Sequence, residues 1–408
     1  MGTQHVVRST WNDPHALAQS GSEWSRHVTV SRVDDYDIVV RADAIDDWPA
    51  ALIATQPDQP TAWVVTDETT WKVHGDRVLS APGASRLVGG VFALQPGEAS
   101  KSVDGWRDLL EWLRENRVRR RDVLVAVGGS MVSDVVGFAA ATHMRGIPYF
   151  NVPTTLVAQV DGAMGGKVAV NTPAAKNLVG AFHHPVGVLA DPSLLVTLPR
   201  RELAGGLSEA IKTAIVASPD AFDVITDLTP ACLDGDPSAL ASAVRLCASI
   251  KMHVLDPDPY EIDLRRVLNF GHTVGHAIET ATEYGDVRHG EAVAIGMAIA
   301  TRLGEHRGLT SAPLRERILS ALEKSELPIW GLPGTGRAVI GCLRMIEAIR
   351  NGSLRFVVPV EFGTMAILED VSGEEILPLI EPPIDRLRPR VSERINVSDE
   401  AVDSAPAR

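Results

Sequence analysis

"DVLVAVGGSMVSDVVGFAAA", Asp122–Ala141, is the stretch that decides the fold class. Its β-favouring run from Val123 to Val127 stops at Gly128-Gly129-Ser130, and an apolar helical segment follows at once. A strand feeding directly into a helix predicts a βα unit, and repeated units of that kind build a parallel sheet covered on both faces. Glycines let the backbone approach a phosphate, and the new helix offers unpaired N–H groups at its positive dipole end. The spacing is not GxGxxG, so a plain strand–helix turn without ligand accounts for it equally well.

The alternation recurs upstream. "YDIVVRA" (Tyr36–Ala42), "TAWVVTD" (Thr61–Asp67) and "RLVGGVFAL" (Arg86–Leu94) are short β-rich runs ending near turn residues. In "KSVDGWRDLLEWLREN" (Lys101–Asn116), Val103, Trp106, Leu109, Leu110 and Leu113 recur at helical spacing. Asp67 ends its strand where a ribose-binding carboxylate would sit. From about Arg200 the pattern turns helical, with candidates at Gly206–Ser218, Pro237–His253, Leu264–Glu283, Gly290–Arg307 and Pro313–Lys324. A late β-like pair, "LRFVVPV" and "TMAILEDV", follows Gly352. The expected layout is a flexible extension over 1–30 and a Rossmann-like, NAD-binding α/β domain over 31–200. A mainly helical metal- and substrate-binding domain over 201–381 and a flexible tail over 382–408 complete it. The cleft between two such halves is where a ligand is expected.

Composition narrows the function. The chain has 408 residues, 45% hydrophobic and 22% charged, the balance of a soluble globular enzyme of two or three domains. A net charge of -13 excludes a general nucleic-acid partner. Cys232, Cys247 and Cys342 lack CxxC spacing, which points to reduced thiols and a cytoplasmic location. The longest apolar runs, such as "AVAIGMAIA" (Ala292–Ala300), reach half of the roughly 18 residues a membrane span needs, so no membrane partner is expected.

"VDGAMGGKVAVN" (Val160–Asn171) looks like a phosphate loop but fails as one. GxxxxGK[ST] would need glycine at Asp161 and a hydroxyl at Val168. Lys167, helped by Lys176, either holds some other anion or is a solvated surface lysine. A stronger signal lies in "LRRVLNFGHTVGHAIET" (Leu264–Thr280), where His272 and His276 stand four apart on one face of a predicted helix. His289 follows in "RHGEAVAIG". Thr273 occupies the place of the HExxH glutamate, which excludes a zincin protease. Glu209 in "GGLSEAIKTAI" shares a helical face with Lys212 and is a candidate fourth party. A Glu/His/His set suits a borderline divalent ion and leaves a coordination position open.

Together these segments resemble the dehydroquinate synthases and the wider sugar phosphate cyclases, from about Val64 to Phe356. The motifs that carry the resemblance are "PGEASK" (Pro96–Lys101), "GGSMVSD" (Gly128–Asp134), "MRGIPYFNVPTTLVAQVDGAMGGKVAVN" (Met144–Asn171), "KNLVGAF" (Lys176–Phe182), "TLPRREL" (Thr197–Leu203), "GLSEAIK" (Gly206–Lys212), "NFGHTVGHAIE" (Asn269–Glu279) and "HGEAVAIGM" (His289–Met297). The resemblance implies a zinc site, able to take cobalt, at Glu209, His272 and His289. It implies NAD contacts at Asp67, Glu98, Lys101, Gly128, Gly129, Ser130, Asp134, Thr154, Thr155, Lys167, Lys176 and Thr197. The implied substrate cleft holds Arg145, Asp161, Lys167, Asn177, Lys212, Lys251, Arg265, Asn269 and His276, with His276 as proton carrier.

The implied reaction is that of a 3-dehydroquinate synthase, a carbon–oxygen lyase of the shikimate pathway. Bound NAD oxidises a hydroxyl of 3-deoxy-arabino-heptulosonate 7-phosphate, phosphate leaves, the carbonyl is reduced again, and the ring closes to 3-dehydroquinate. A cytoplasmic homodimer is implied as well. One position departs from the pattern: Ile346-Glu347-Ala348 stands where the family carries phosphate-binding lysines, leaving Arg344 or Arg350 to compensate. That departure raises a specialised cyclase acting on sedoheptulose 7-phosphate or an amino analogue. Lys251, Arg265, Asn269 and His276 together favour a carboxylate-bearing substrate. A metal-dependent polyol dehydrogenase and an inactive binding protein are the remaining alternatives.

Overall fold

A computed structural model describes residues 35–382, apart from positions 57, 59, 174, 262, 263, 284, 286, 350, 351 and 353 and the side chains of Leu264 and Arg265. The expected extension and tail lie outside the described residues, Pro382 excepted, as do Arg350 and the side chain of Arg265.

The strands are β1 (Asp37–Val40), β2 (Ala62–Asp67), β3 (Val88–Leu94), β4 (Val123–Gly128), β5 (Tyr149–Pro153), β6 (Lys167–Val170), β7 (Val179–Phe182), β8 (Gly187–Ala190), β9 (Phe356–Glu361) and β10 (Thr364–Leu368). Six of them form one sheet in the order β1-β8-β5-β4-β2-β3, and every pairing in it is parallel. β6–β7 and β9–β10 are separate antiparallel hairpins. The helices of the first half are α1 (Trp48–Thr55), α2 (Glu68–Ser80), α3 (Ala84–Leu87), α4 (Val103–Glu115) and α5 (Ser130–Thr142). Those of the second half are α6 (Arg200–Ala217), α7 (Pro219–Leu233), α8 (Pro237–Leu255), α9 (His272–Ala281), α10 (His289–His306), α11 (Ala312–Lys324), α12 (Gly336–Ile349) and α13 (Gly373–Ile380).

The period-two rule sorts the sheet's side chains between two cores. Trp63, Val65, Leu124 and Ala126 join Leu109, Leu113, Val135 and Val136 on one face. Ala62, Val64, Val123, Val125 and Val127 join Trp48, Leu52 and Val78 on the other. Both faces are covered, as a parallel sheet requires. After β2 the chain moves outward to β3, and after β4 it moves the opposite way to β5. The carboxyl ends of β2 and β4 therefore flank a topological switch point, the place where open α/β sheets take their ligands. Asp67 ends β2 and Gly128-Gly129 ends β4.

The helical half builds the larger core. In α6, fourteen consecutive residues from Leu203 to Val216 are buried, so its polar members Ser208, Glu209, Lys212 and Thr213 must find partners inside the protein. α8 is apolar and long enough at 19 residues to cross a membrane by those criteria. Its Leu240, Val244 and Cys247 join the helical core.

The predicted helix over Leu264–Glu283 is not continuous. A 3-10 turn spans Leu264–Asn269, Gly271 takes a left-handed φ of 82°, and α9 starts at His272. A Cβ at Gly271 would stand 2.6 Å from Met297 Cγ and 2.7 Å from the Val293 oxygen. The break follows from this close crossing of α10, which only glycine permits. α6 starts six residues before its predicted boundary, because its polar first turn Arg200-Arg201-Glu202 carries no apolar period. At the start of α10, a Cβ on Gly290 would come within 2.2 Å of the Gly205 oxygen. Glycine at 290 thus lets α10 touch α6, bringing His289 next to Glu209.

Candidate active site

Three helices deliver the candidate metal ligands: Glu209 from α6, His272 from the first position of α9, and His289 from the first position of α10. One ligand atom from each lies within 4.8 Å of the other two. Glu209 Oε1 is 3.5 Å from His272 Nε2 and 3.3 Å from His289 Nε2. Glu209 is fully buried, yet neither of its oxygens completes a hydrogen bond in geometry. The Lys212 ammonium stands 2.6 Å from Oε2 as a charge neighbour. Burying an ionised carboxylate costs several kcal/mol unless cations answer it. An orphaned oxygen facing two Nε2 atoms is the donor set a divalent ion fits.

The far side of each imidazole is fixed. His272 donates its Nδ1–H to the Phe270 carbonyl at 3.2 Å, which leaves Nε2 to face Glu209. His289 Nδ1 meets both oxygens of Glu279 at 3.2 and 3.3 Å. Such partners set tautomer and ring angle in metal sites. Burial pushes the His272 imidazole down to about 4, so it is neutral and its Nε2 lone pair is available. Burial would lower His289 too, but the Glu279 carboxylate outweighs it and raises the ring to about 9. Burial would likewise raise Glu209, but Lys212 and His272 hold it down at about 2. A cation bound at His289 Nε2 would displace any proton held there.

His276, Glu279 and His289 form an overlapping group of possible ligands. Glu279 already receives Lys176 Nζ at 2.5 Å, which favours the Glu209 set. The His276 ring lies 5.3 Å from that of His272 and 6.0 Å from that of His289, centroid to centroid. Burial holds its pKa well below the usual value. The expected proton carrier is therefore a neutral imidazole at pH 7.

Asp161 anchors two buried lysines. It sits in a one-turn π-helix, Ala158–Gly162, and accepts from Lys212 Nζ at 2.5 Å and from Lys251 Nζ through its other oxygen. Lys251 also donates to the Asp161 carbonyl at 2.5 Å. Burial would raise Asp161, but Lys212 and Lys251 hold it well below the ordinary carboxylate range. Lys167, the first residue of β6, is paired across the gap with Glu261, and Asn269 Nδ2 donates to Glu261 Oε1 at 2.6 Å. The lysine that looked like part of a phosphate loop is therefore tied to the loop after α8.

On the α/β side, Lys101 pairs with Asp134. Glu98 accepts from Asn171 Nδ2 at 2.9 Å and lies 3.3 Å from Lys176 Nζ. Gly129 is the N-cap of α5 with no side chain to cap it, and Ser130 Oγ is buried without a partner. Thr154 is buried beside them and donates its N–H to the Gly128 carbonyl, while Thr155 Oγ1 accepts from the Ala158 N–H. A bare helix start at a switch point is able to take a phosphate group.

Other expected residues are placed differently. The Asp67 carboxylate caps α2, accepting from Thr69 N and Thr70 N at 3.0 Å and Thr70 Oγ1 at 2.6 Å. Thr197 donates its hydroxyl to the Leu194 carbonyl at 2.7 Å. Arg145 and the Asn177 side chain are exposed, and among the described residues no hydrogen bond or ion pair joins either to the cluster. Glu347 is half-buried and Arg344 exposed, both on α12.

Sequence reading missed two residues. Glu279 stands three after His276 and seven after His272, which is one helical face, so spacing could have found it. Glu261 gave no such signal. It is one acid among Asp256, Asp258 and Asp263 in the sequence, and it takes a left-handed φ of 56°.

With this geometry established, residues 91–205 match the N-terminal part of 3-dehydroquinate synthase and residues 206–345 its C-terminal part. The chain belongs to the 3-dehydroquinate synthase family. Within this sugar phosphate cyclase family it is 44% identical to the 2-epi-valiolone synthase of Actinosynnema mirum, over 86% of this chain and 92% of that one. It is 36% identical to the 3-dehydroquinate synthase of Enterococcus faecalis, over 84% and 94%. Its fold superposes with a TM-score of 0.78 on ValA, the 2-epi-5-epi-valiolone synthase of Streptomyces hygroscopicus, solved with NAD+ and Zn2+ bound. That match has 28% identity and covers 87% of this chain and 98% of that one. The family reading of the motifs and the two-part fold both hold.

Proposed function

We propose that the chain is an NAD- and zinc-dependent sugar phosphate cyclase that closes a seven-carbon ketose phosphate lacking a carboxylate, such as sedoheptulose 7-phosphate, to a valiolone-type ring. The observation that carries the cyclase reading is the buried Glu209 carboxylate with two imidazole Nε2 atoms turned toward it. The bare N-terminus of α5 at the switch point supports the cofactor. Glu209, His272 and His289 would hold the ion and the α5 turn the dinucleotide, supplying Lewis acidity at an alcohol or carbonyl oxygen and a hydride acceptor regenerated within the turnover.

The chain's own groups do the rest. A ring nitrogen of neutral His276 takes the alcohol proton. Asp161 holds Lys212 and Lys251 rigid at the cleft floor, so their positive field is preorganised and needs no rearrangement during reaction. Lys167, Asn269 and Glu261 form a polar bridge across the gap that can orient hydroxyl and phosphate oxygens.

For the substrate, the higher identity to a 2-epi-valiolone synthase than to a 3-dehydroquinate synthase supports the carboxylate-free ketose. A second reading, the 3-dehydroquinate reaction, is favoured by the Lys251, Asn269 and His276 set. Phosphate release separates them. Sedoheptulose 7-phosphate is expected to turn over at least about tenfold more efficiently than 3-deoxy-arabino-heptulosonate 7-phosphate or its amino analogue, a difference of roughly 1.4 kcal/mol at the transition state. The reverse order would assign the chain to the second reading.

A further inference from the structure

We propose that Glu279 is a positioning residue for the metal centre, holding His289 from behind, and that Lys176 and Glu98 hold Glu279 from the cofactor half. The inference rests on the metal reading above. Glu279 is 2% exposed, and both its oxygens lie within 3.3 Å of His289 Nδ1. The other atom of that ring, Nε2, faces Glu209. Glu279 thus decides which nitrogen of His289 carries the proton and which is left for a metal. Lys176 Nζ reaches Glu279 Oε1 at 2.5 Å and lies 3.3 Å from Glu98 Oε1, with its side chain 5% exposed. Asn171 steadies Glu98 in turn through its Nδ2.

This row runs Asn171–Glu98–Lys176–Glu279–His289–Glu209 and alternates in charge. It starts in the turn after β3 and the loop after β6, and ends at the ion site on α6. A lone buried carboxylate behind His289 would be costly. Lys176 removes that cost, and Glu98 keeps Lys176 in place. A charge or distance change at Glu98 is therefore felt at His289.

The test is zinc affinity measured by chelator competition on the full chain, with the visible spectrum of the cobalt-loaded protein as a second readout. Glu279→Gln keeps the shape and removes the charge. It is expected to weaken zinc about 10- to 100-fold while leaving the cobalt spectrum and the melting temperature of the metal-free protein near those of the parent. Lys176→Met, which leaves both His289 and Glu279, is expected to weaken zinc severalfold and serves if Glu279→Gln does not fold. Parent-like affinity in the folded variants overturns the proposal. So does a cobalt spectrum altered in Glu279→Gln, which would make Glu279 itself a ligand. A parent chain that binds no zinc overturns the metal reading, and this inference with it.

Discussion

His272→Ala is expected to lower turnover by at least about a thousandfold, because a Lewis acid in such a site is worth several kcal/mol at the transition state. The imidazole is one of two rings facing Glu209, and without it the ion would keep one carboxylate and one ring. Metal analysis of the purified variant should show little bound zinc. The α/β half should be untouched, since its two sheet-covering cores contain no residue of α9. Dinucleotide binding, followed by fluorescence titration, should therefore survive within a few fold. A variant that retains parent-like zinc and turnover would remove His272 from the ligand set.

Asp161→Ala should produce the largest loss of stability. It takes from Lys212, 1% exposed, and Lys251, 4% exposed, the carboxylate that both pair with, and leaves Lys212 the Glu209 carboxylate. Breaking a buried pair from one side costs about 3–5 kcal/mol, a large share of a typical folding free energy of about 5–15. Urea denaturation would read this directly. Asp161→Ala combined with Lys251→Met should recover part of the loss, since Lys212 then keeps the Glu209 carboxylate and one buried ammonium fewer has to be answered. The sign of the pH dependence follows from the depressed folded pKa of Asp161. Its contribution is complete above about pH 5, past the unfolded carboxylate value, and fades as pH falls through the lower folded value. The stability gap between parent and variant should accordingly be flat at neutral pH and shrink in acid.

Much of this architecture was legible because strands and helices announce themselves through apolar period. Val123–Val127 and the turn at Gly128 fixed a βα unit, and Glu209, His272 and His289 could be gathered by residue type and spacing. Periodicity does not report backbone handedness, so the break at Gly271 was invisible. The run from Leu264 reads as one helix until the crossing of α10 is known. Nor does a motif say what a side chain is already bonded to. Asp67, expected to meet a ribose, also caps α2, and Lys167, expected to meet an anion, is paired with Glu261 in the structure. Glu279 was readable on the face of His272 and His276 but carries no chemistry of its own. Its meaning comes from His289 and Lys176, which arrive from other parts of the chain.

The most direct test is a reaction with the zinc-loaded chain, sedoheptulose 7-phosphate in large excess, and NAD far below the substrate concentration. Phosphate and NADH are followed together. A cyclase that recycles its nicotinamide releases many equivalents of phosphate per NAD with no net NADH. Accumulation of NADH in step with product, up to the NAD supplied, would make the chain a dehydrogenase and contradict the account.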